Sequence, residues 1–343
     1  MKKFNAINFG CRVNAAETNQ LSQQLIDQGY TFDDQNPDTI IVNTCAITKK
    51  GEYESIYNIK KILKDNPNIK IIATGCANLE KLKDLKNVTI LKNVDKDKIQ
   101  SVYTPQISDK FSRTHRYMLK VQSGCSVNCT FCIVPTRRTT LNSLSISDAV
   151  KTVNTVVENG YTEVIITGVN LAQYLPSLAD LVEALLTQTK IKLISFGSVP
   201  LLCINDKFID LLTVNRSRLT DFLHIPLQSG SNKILKLMHR PYHKEKILNT
   251  FKLLTSPLVK GGTEGGLKFG TDIIVGFPTE TDSDFQETYN LCQSLGFSKI
   301  HVFRYSPRPD TPARELFLKS AKIPKTVILE RSKLLRQLTP TNI

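Results

Sequence analysis

The sequence predicts an α/β protein: an N-terminal open parallel α/β sheet domain over residues 1–100, a linker over 101–116, and a partial (β/α)6 barrel over 117–343. Two observations predict it. Short runs of apolar, β-branched residues alternate with segments whose apolar residues recur at helical spacing. Such alternation makes strands parallel and joins them by right-handed crossovers. The length of 343 residues is also too great for one ordinary domain and suits two.

The first hundred residues repeat one strand-and-helix unit. Strands are predicted over 4–10, 39–45 and 70–76, and helices over 15–29 and 51–65. Gly29 suits the end of the first helix, because glycine readily adopts the left-handed conformation found there. In open parallel sheets, ligands bind beyond the carboxyl ends of the strands. Each predicted strand ends at a cysteine, so we expect Cys11, Cys45 and Cys76 to lie together at one edge of the sheet.

After residue 116 the alternation continues in longer units. Strands are predicted over 117–121, 163–168, 192–197, 221–225, 268–275 and 299–305, helices over 147–159, 177–189 and 281–295, and a final basic helix over 324–338. Six such units suit a partial (β/α)6 barrel with its active face at the carboxyl ends of the strands. The glycine-rich run 261–266 is predicted to be a flexible loop, because it lacks the lysine and the following helix of a phosphate-binding loop.

Composition predicts a soluble, cytoplasmic protein. The chain has 41% hydrophobic and 22% charged residues, with no apolar run long enough for a membrane span and no secretory leader. Its formal net charge of +14 favours nucleic acid as a partner, although an AT-rich genome that favours lysine codons is an alternative. Disulfides are unstable in the cytoplasm, so the eight cysteines indicate metal ligation, catalysis or burial.

Three cysteines carry the strongest chemical signal. Cys125, Cys129 and Cys132 follow the first predicted barrel strand with the spacing C-x3-C-x2-C. Three soft thiolates can hold three irons of a cubane cluster and leave the fourth iron open. An open iron can bind the amino and carboxylate groups of S-adenosylmethionine and pass an electron into its sulfonium. Phe131, between two of the cysteines, suits a shield beside the adenine.

Other interpretations of the cysteines and histidines stay open. The alternative for the C-x3-C-x2-C motif is a zinc site that borrows a histidine, and His115 is the nearest in sequence. Cys203 and Cys292 fit no ligand pattern and are expected to pack as small hydrophobes. His239 and His243 flank Arg240 and Pro241 in a loop-like stretch, and both histidines are expected to be polar surface residues.

The motifs around the N-terminal cysteines resemble those of the radical methylthiotransferases, which insert sulfur into a C–H bond and methylate it. Residues 10–18 read GCRVNAAET and residues 43–48 read NTCAIT. These motifs are similar to those of the subgroup that acts on N6-threonylcarbamoyladenosine in tRNA. The resemblance implies a second cubane cluster on Cys11, Cys45 and Cys76. The residues alone also allow three buried structural cysteines.

Motifs in the barrel extend the resemblance. The family's signatures on the fourth, fifth and sixth strands are similar to residues 224–231 (HIPLQSGS), 271–278 (TDIIVGFP) and 301–308 (HVFRYSPR). Gln228, Ser229 and Asp272 end predicted strands on the active face and are candidate contacts to S-adenosylmethionine or substrate. Ser198 is a further candidate cofactor contact, although Pro200 stands where the family has glutamate. The alternative for each is a hydrogen bond that stabilises a turn.

The resemblance also implies a reaction. The enzyme would add a methylthio group to C2 of N6-threonylcarbamoyladenosine next to the anticodon of tRNA, using two [4Fe–4S] clusters and S-adenosylmethionine. The expected partners are the tRNA anticodon loop, an electron donor such as flavodoxin or ferredoxin, and a sulfur donor, with no membrane. The alternatives are methylthiolation of another tRNA adenosine or a ribosomal-protein side chain, and a non-catalytic iron–sulfur protein that binds tRNA.

The family usually ends with a small β-barrel that grips tRNA, and this sequence stops at Ile343 before such a module. Two alternatives follow from the resemblance: the sequence is truncated, or a basic surface holds the RNA in place of that module. The candidate members of this surface are Lys60, Lys61, Lys64, Arg113, Arg116, Arg137, Arg138, Lys333 and Arg336. Arg137 and Arg138 directly follow the cysteine motif and are the candidates for contact with the anticodon loop. The alternative is a loop anchored to neighbouring carboxylates.

Overall fold

The computed structural model of the protein describes residues 2–97, 116–256 and 266–339. The chain forms two compact units, each described by itself. The first comprises Met1–Ser126, Ile133–Leu175 and Ala184–Ile194, and the second Val127–Cys132, Pro176–Glu183 and Ser195–Ile343. The predicted linker lies outside the described residues except for Arg116, so the predicted domain limits stay a prediction.

The first unit begins with a five-stranded parallel sheet in the order β2-β1-β3-β4-β5. Its strands are β1 (Lys3–Asn8), β2 (Thr31–Phe32), β3 (Thr39–Thr44), β4 (Lys70–Gly75) and β5 (Val88–Ile90), and its helices are α1 (Arg12–Asp27), α2 (Lys49–Asp65) and α3 (Asn93–Asp97). The three predicted strands and two predicted helices are confirmed to within about three residues. The short edge strands β2 and β5 were not predicted.

The central strand β3 is buried on both faces, as parallel strands covered by helices are. Its successive residues point to opposite sides. Ile41 packs with Phe4 and Leu21 on one side, and Val42 packs with Ile59 on the other. This apolar sandwich fixes the register of the sheet, and the register determines which residues arrive at its carboxyl edge.

Two local signals shape the carboxyl edge. The hydroxyl of Thr48 accepts a hydrogen bond from the Gly51 N–H at 3.0 Å and so begins α2 just beyond β3. Gly75 has a φ of 106°, and a Cβ there would lie 2.4 Å from the carbonyl oxygen of Thr44. Only glycine therefore allows the chain to approach β3 immediately before Cys76.

A second sheet has the order β7-β6-β8-β9. Its strands are β6 (Arg116–Ser123), β7 (Asn142–Ser143), β8 (Glu163–Gly168) and β9 (Leu193–Phe196), with helices α4 (Val134–Arg137), α5 (Ile146–Glu158) and α6 (Leu178–Gln188). β6 and β8 are parallel, whereas β7 pairs antiparallel with the end of β6, where Ser123 faces Asn142. The chain that follows the C-x3-C-x2-C motif is thereby fixed beside the strand that precedes it.

The second unit contains a parallel three-stranded sheet, β10-β11-β12. Its strands are β10 (Phe222–His224), β11 (Lys268–Val275) and β12 (Lys299–Arg304), and its helices are α7 (Asp206–Val214), α8 (Asn232–Leu237), α9 (Lys244–Leu254), α10 (Asp282–Leu295), α11 (Pro312–Lys319) and α12 (Lys325–Gln337). α10 begins with a capping box between Thr281 and Asp284 and ends at Gly296 in the left-handed conformation.

The predicted α/β class is confirmed, and all six strands predicted after residue 116 occur in order. They are hydrogen-bonded in two sheets, and the two-residue strand β7 was not predicted. Asp272 was predicted to end a strand, which is wrong: it lies in the middle of β11 and pairs with His301 of β12. Residues 261–265 of the glycine-rich run lie outside the described residues. No helix in the described ranges is long and apolar enough to cross a membrane.

Candidate functional site

Three cysteines meet at the carboxyl edge of the N-terminal sheet. Cys11 is exposed and stands directly before α1, Cys45 is half-buried after β3, and Cys76 is buried after β4. Burial raises the pKa of the Cys45 thiol, and the neighbouring sulfurs of Cys76 and Cys11 raise it further. All three are free thiols. The structure thus brings together the three residues that the sheet topology was expected to gather.

Buried Asn14 joins the start of α1 to the end of β3. Its side-chain N–H groups donate to Oδ1 of Asn43 and to the carbonyl oxygen of Thr44, both at 2.8 Å. Its Oδ1 accepts a hydrogen bond from the Cys11 thiol at 3.6 Å. Asn43 in turn donates to the carbonyl oxygen of Asn14 at 2.9 Å. The asparagines of the two N-terminal motifs therefore fix the turns that carry the cysteines.

Arg138 is also part of this site, and its predicted contact with tRNA is corrected here. The residue is only 4% exposed, so it does not lie on a surface that RNA phosphates reach. Its Nε–H donates to the sulfur of Cys76 at 3.3 Å, and Nη2 donates to Oδ1 of Asn14 at 3.1 Å. Its guanidinium also forms a two-pronged pair with Glu17, at 2.6 and 3.0 Å. The alternative of a loop anchored to a carboxylate is the arrangement that the structure has.

Glu17 is the buried centre of an ionic cluster. Its carboxylate contacts Arg138, Lys96 and Lys120, and the side-chain exposures of these four residues lie between 1% and 9%. Burial alone would raise the pKa of Glu17, but the three cations, led by Arg138, hold it well below its ordinary value. Because Lys96 and Lys120 are 79 and 103 residues away along the chain, no local motif could have revealed this cluster.

In the first unit, Cys125 has an amide donor that the sequence did not reveal. The side-chain Nδ2 of Asn170 donates to the sulfur of Cys125 at 3.6 Å, and the backbone N–H of Asn170 is held by Gln122 at 2.8 Å. Gly124 has a φ of 77°, and a Cβ there would lie 2.1 Å from the carbonyl oxygen of Thr140. Glycine is therefore required immediately before this cysteine.

In the second unit, Cys129 has an arginine donor. Nη1 of Arg240 donates to the sulfur of Cys129 at 3.3 Å. The remaining N–H groups of Arg240 donate to the hydroxyl of Tyr242, at 2.7 and 3.0 Å, and to the carbonyl oxygen of Pro226 at 3.4 Å. His239 and His243 were predicted to be polar surface residues, and both are exposed, whereas Tyr242 between them is buried.

The rest of this loop is pinned to α8. The backbone N–H of Thr130 donates to the carbonyl oxygen of Met238 at 3.2 Å. The Thr130 hydroxyl donates to the carbonyl oxygen of Leu237 at 2.8 Å. Phe131 is half-buried and packs against an apolar cluster that includes Met238 and Ile274. The ring predicted to shield the adenine is thus held by the apolar core of the second unit.

Three of the predicted cofactor or substrate contacts lie on strand-to-helix turns. Gln228 adopts a φ of 72°, is half-buried, and donates its backbone N–H to the carbonyl oxygen of Asp272 at 2.8 Å. Ser229 is buried, and its hydroxyl lies 3.1 Å from that of Thr288, so it is hydrogen-bonded within the fold. Ser198 is half-buried beyond β9.

Asp272 lies between two histidines on neighbouring strands. Its Oδ1 is 3.0 Å from Nε2 of His224 and 3.3 Å from Nδ1 of His301. One ligand atom from each residue lies within 4.8 Å of the others, a spacing that a divalent cation could also use. Burial lowers the pKa of His301, although Asp272 opposes the shift. Asp272 and Ile274 are two residues apart on β11 and share one face of the sheet.

The predicted packing cysteines and basic residues are placed as follows. Cys203 and Cys292 are buried, and burial raises the pKa of each thiol to about 12, as expected for packing residues. Lys60, Lys61, Lys64, Lys333 and Arg336 are exposed, Arg137 is half-buried, Arg116 is paired with Glu163, and Arg113 lies outside the described residues. A groove of about 650 Å³ on the second unit is lined by Arg304, Lys333 and Arg336 among others.

Two sequence families match this chain. The family described as "Radical SAM superfamily" matches residues 119–292, and the "Uncharacterized protein family UPF0004" matches residues 3–94. The first match spans the cysteine motif at 125–132, and the second spans the three N-terminal cysteines.

Curated relatives align with most of the chain. The threonylcarbamoyladenosine tRNA methylthiotransferase of Aquifex aeolicus is 31% identical, over 96% of this chain and 86% of the relative, and that of Thermotoga maritima is 33% identical, over 98% and 82%. The tRNA-2-methylthio-N(6)-dimethylallyladenosine synthase of Helicobacter acinonychis is 31% identical, over 89% and 75%.

Solved structures share the fold at low sequence identity. The radical S-adenosylmethionine methyltransferase TsrM from Kitasatospora setae superimposes with a TM-score of 0.65 at 12% identity, over 92% of this chain and 75% of that one. The cobalamin-dependent S-adenosylmethionine radical enzyme OxsB gives a TM-score of 0.58 at 14% identity, over 99% and 57%. These likenesses establish the radical-enzyme fold alone.

Proposed function

We propose that this chain, which belongs to the radical S-adenosylmethionine methylthiotransferase family, adds a methylthio group to C2 of N6-threonylcarbamoyladenosine next to the anticodon of a tRNA. It is an enzyme of that family. The observation that carries the proposal is the presence of two separate sets of three cysteines, each with an arginine N–H on one of its sulfurs. The proposed substrate is the one named for the relatives at 31–33% identity.

The first [4Fe–4S] cluster would be held by Cys125, Cys129 and Cys132, which supply soft thiolate ligands. The residues present suit it, because Asn170 and Arg240 each donate an N–H to a sulfur of the set. Such hydrogen bonds stabilise thiolates and tune clusters. When bound, this cluster supplies the electron that cleaves S-adenosylmethionine and yields the radical that removes hydrogen from adenine C2.

The second cluster would be held by Cys11, Cys45 and Cys76 and would carry the sulfur that is inserted. The fit rests on three free thiols at one sheet edge, with the charged Arg138 on Cys76. Asn14 and Asn43 would keep the cysteine-bearing turns fixed. A second S-adenosylmethionine would donate the methyl group.

Four side chains are proposed to contact S-adenosylmethionine or the substrate: Phe131, Ser198, Gln228 and Asp272. Phe131 supports this role because it packs against the apolar cluster that includes Ile274, and Ile274 lies on the face of β11 that also carries Asp272. The histidine pair would orient the Asp272 carboxylate as an acceptor for hydrogen bonds from the substrate.

The tRNA would be held electrostatically, at its single-stranded anticodon loop and along its backbone. The net charge of +14 and the groove that contains Lys333 and Arg336 support this. We propose Arg137 as the remaining candidate for contact with the loop. A flavodoxin- or ferredoxin-type electron donor and a sulfur donor complete the proposed partners, and the cytoplasm is the proposed location.

A second candidate substrate is N6-dimethylallyladenosine in tRNA, because the relative named for that product is also 31% identical. The motifs at 10–18 and 43–48 favour the threonylcarbamoyl substrate. Mass spectrometry of tRNA nucleosides from cells with and without the gene decides between them. Loss of the 2-methylthio form of threonylcarbamoyladenosine supports the proposal, and loss of only the dimethylallyl form replaces it with the second candidate.

A further inference from the structure

The buried ionic cluster around Glu17 contains more positive than negative charge. Arg138 and Lys96 both contact Glu17, and within the described part of the chain neither has a second carboxylate partner. Lys120 adds a third cation to the same carboxylate at 3.0 Å. Since burying an unbalanced charge is costly, such a cluster calls for a further anion close by.

The sulfur of Cys76 lies directly against this excess of positive charge. It lies 3.3 Å from Nε of Arg138, and the residue itself is 9% exposed. The other two N–H-bearing nitrogens of the guanidinium are occupied by Glu17 and Asn14, so the arginine cannot turn away from the sulfur without breaking these bonds. Asn14 also accepts from the Cys11 thiol, which ties a second cysteine into the arrangement.

We infer that Arg138, held in place by Glu17, is a positioning residue that sets the reduction potential of the cluster on Cys11, Cys45 and Cys76. The inference rests on the proposed function, which places a cluster there. A cluster gains one negative charge when it takes up one electron, here from a low-potential reductant such as dithionite. A fixed positive charge and an N–H···S bond both favour that state, so Arg138 raises the potential. Glu17 lowers it by offsetting the charge, while keeping the guanidinium in place.

The test uses the full-length chain in which Cys125, Cys129 and Cys132 are replaced by alanine, so that the N-terminal site is the cluster site that remains. After anaerobic reconstitution, iron is measured and the midpoint potential is determined by a redox titration followed by electron paramagnetic resonance. Arg138→Gln should lower the potential by at least about 59 mV, a tenfold change in the ratio of reduced to oxidised cluster. Arg138→Lys keeps the charge and should lower it less.

Glu17→Gln should shift the midpoint potential in the opposite direction. Removal of the negative charge should raise the potential, whereas a purely structural role would give both variants the same direction or no shift. Lys70→Gln is the matched control, because it removes one exposed positive charge at the start of β4, the end of that strand away from Cys76, and should leave the potential unchanged. Thermal unfolding of each metal-free variant establishes that it is folded.

The outcomes separate the inference from the function on which it rests. If the triple-alanine chain binds no iron, the second cluster of the proposed function fails. If it binds iron and Arg138→Gln or Glu17→Gln leaves the potential unchanged, or both shift it in one direction, the role of Arg138 is overturned. Should Arg138→Gln fail to fold, Arg138→Lys and Glu17→Gln decide: shifts of opposite sign support the inference, and any other result rejects it.

Discussion

The two sets of cysteines are assembled in different ways. Cys125, Cys129 and Cys132 lie within eight residues of one loop, so their spacing alone brings them close. Cys11, Cys45 and Cys76 follow three different elements, and the parallel strands β1, β3 and β4 gather them at one edge. A ligand set built from a loop is visible in sequence, whereas one built from a sheet depends on strand order and register.

The arginines on the two sets differ in how their charge is balanced. Arg138 is paired with the carboxylate of Glu17. Arg240 contacts the hydroxyl of Tyr242 and a carbonyl oxygen, and no carboxylate of the described residues contacts it. Arg240 therefore contacts Cys129 while its positive charge has no carboxylate counter-ion among the described residues. This difference lets each site be perturbed independently.

The largest expected effect separates the roles of the two cysteine sets. The reconstituted wild-type protein should bind about eight irons, and replacement of Cys125, Cys129 and Cys132 by alanine should leave about four and abolish cleavage of S-adenosylmethionine. Alanine at Cys11, Cys45 or Cys76 should preserve cleavage to 5′-deoxyadenosine but stop sulfur insertion. Iron analysis and product chromatography measure these changes. Equal loss of cleavage in both sets of variants, or tight binding of one zinc, contradicts the division.

The next effect concerns the stability of the site that contains Arg138 and Glu17. Glu17→Gln leaves buried cations without their carboxylate and should cost about 3–5 kcal/mol of unfolding free energy. Because the folded-state pKa of Glu17 is lowered, its contribution is present above its unfolded-state pKa and is lost as pH falls through the folded value. Thermal midpoints of wild type and variant should therefore converge on acidification.

Glu280 in the second unit is the matched control for that pH dependence. Burial raises its pKa even though Arg331 is paired with it at 2.6 Å. Its linkage to stability therefore has the opposite sign, since stability is lost as pH rises through the raised value. On acidification, wild type should therefore gain stability relative to Glu280→Gln, whereas it should lose stability relative to Glu17→Gln. Parallel behaviour of the two variants would show that the three cations around Glu17 do not set its charge state.

A smaller effect is expected at Arg240. Arg240→Gln removes a charged hydrogen bond to the sulfur of Cys129, which is worth about 1.5–3 kcal/mol, so the rate of S-adenosylmethionine cleavage should fall by about tenfold or more. Lys236→Gln, which removes an exposed charge from nearby α8, should leave the rate unchanged. Quantification of 5′-deoxyadenosine at equal cluster content measures this. Wild-type rates in Arg240→Gln would mean that the contact with Cys129 has no functional role.

The smallest effect is expected on the exposed basic surface. Lys333→Ala with Arg336→Ala should weaken binding of anticodon stem-loop RNA by a few fold at moderate salt, and each lost phosphate contact should reduce the salt slope by about 0.9. Lys207→Ala is the control, because Asp180 and Glu183 already balance that exposed charge. Fluorescence anisotropy across a salt series measures both. An unchanged slope would remove this groove from the tRNA surface.

Much of the fold could be predicted because its strands and helices are long enough to show their periods. The six strands after residue 116 and the three central N-terminal strands all appear close to their predicted limits. The strands β2, β5 and β7 contain only two or three residues, too few to display an alternation, whereas the equally short β10 lies within a longer predicted strand over 221–225. Asp272 lies inside the strand predicted over 268–275, so its placement at a strand end did not come from the strand pattern.

The sequence by itself indicated the ligand chemistry proposed for this protein, because cysteine type and spacing are local properties. It also determined the family, through motifs that lie beside those cysteines. Only the tertiary structure decided that Arg138 is a buried partner of Cys76 rather than an RNA contact, and that Arg240 lies on Cys129. Arg138 and Cys76 are 62 positions apart in the chain, and Arg240 and Cys129 are 111 positions apart. An arginine side chain can lie on a surface or pair with a buried anion, and only the packing of the folded chain determines which of the two occurs.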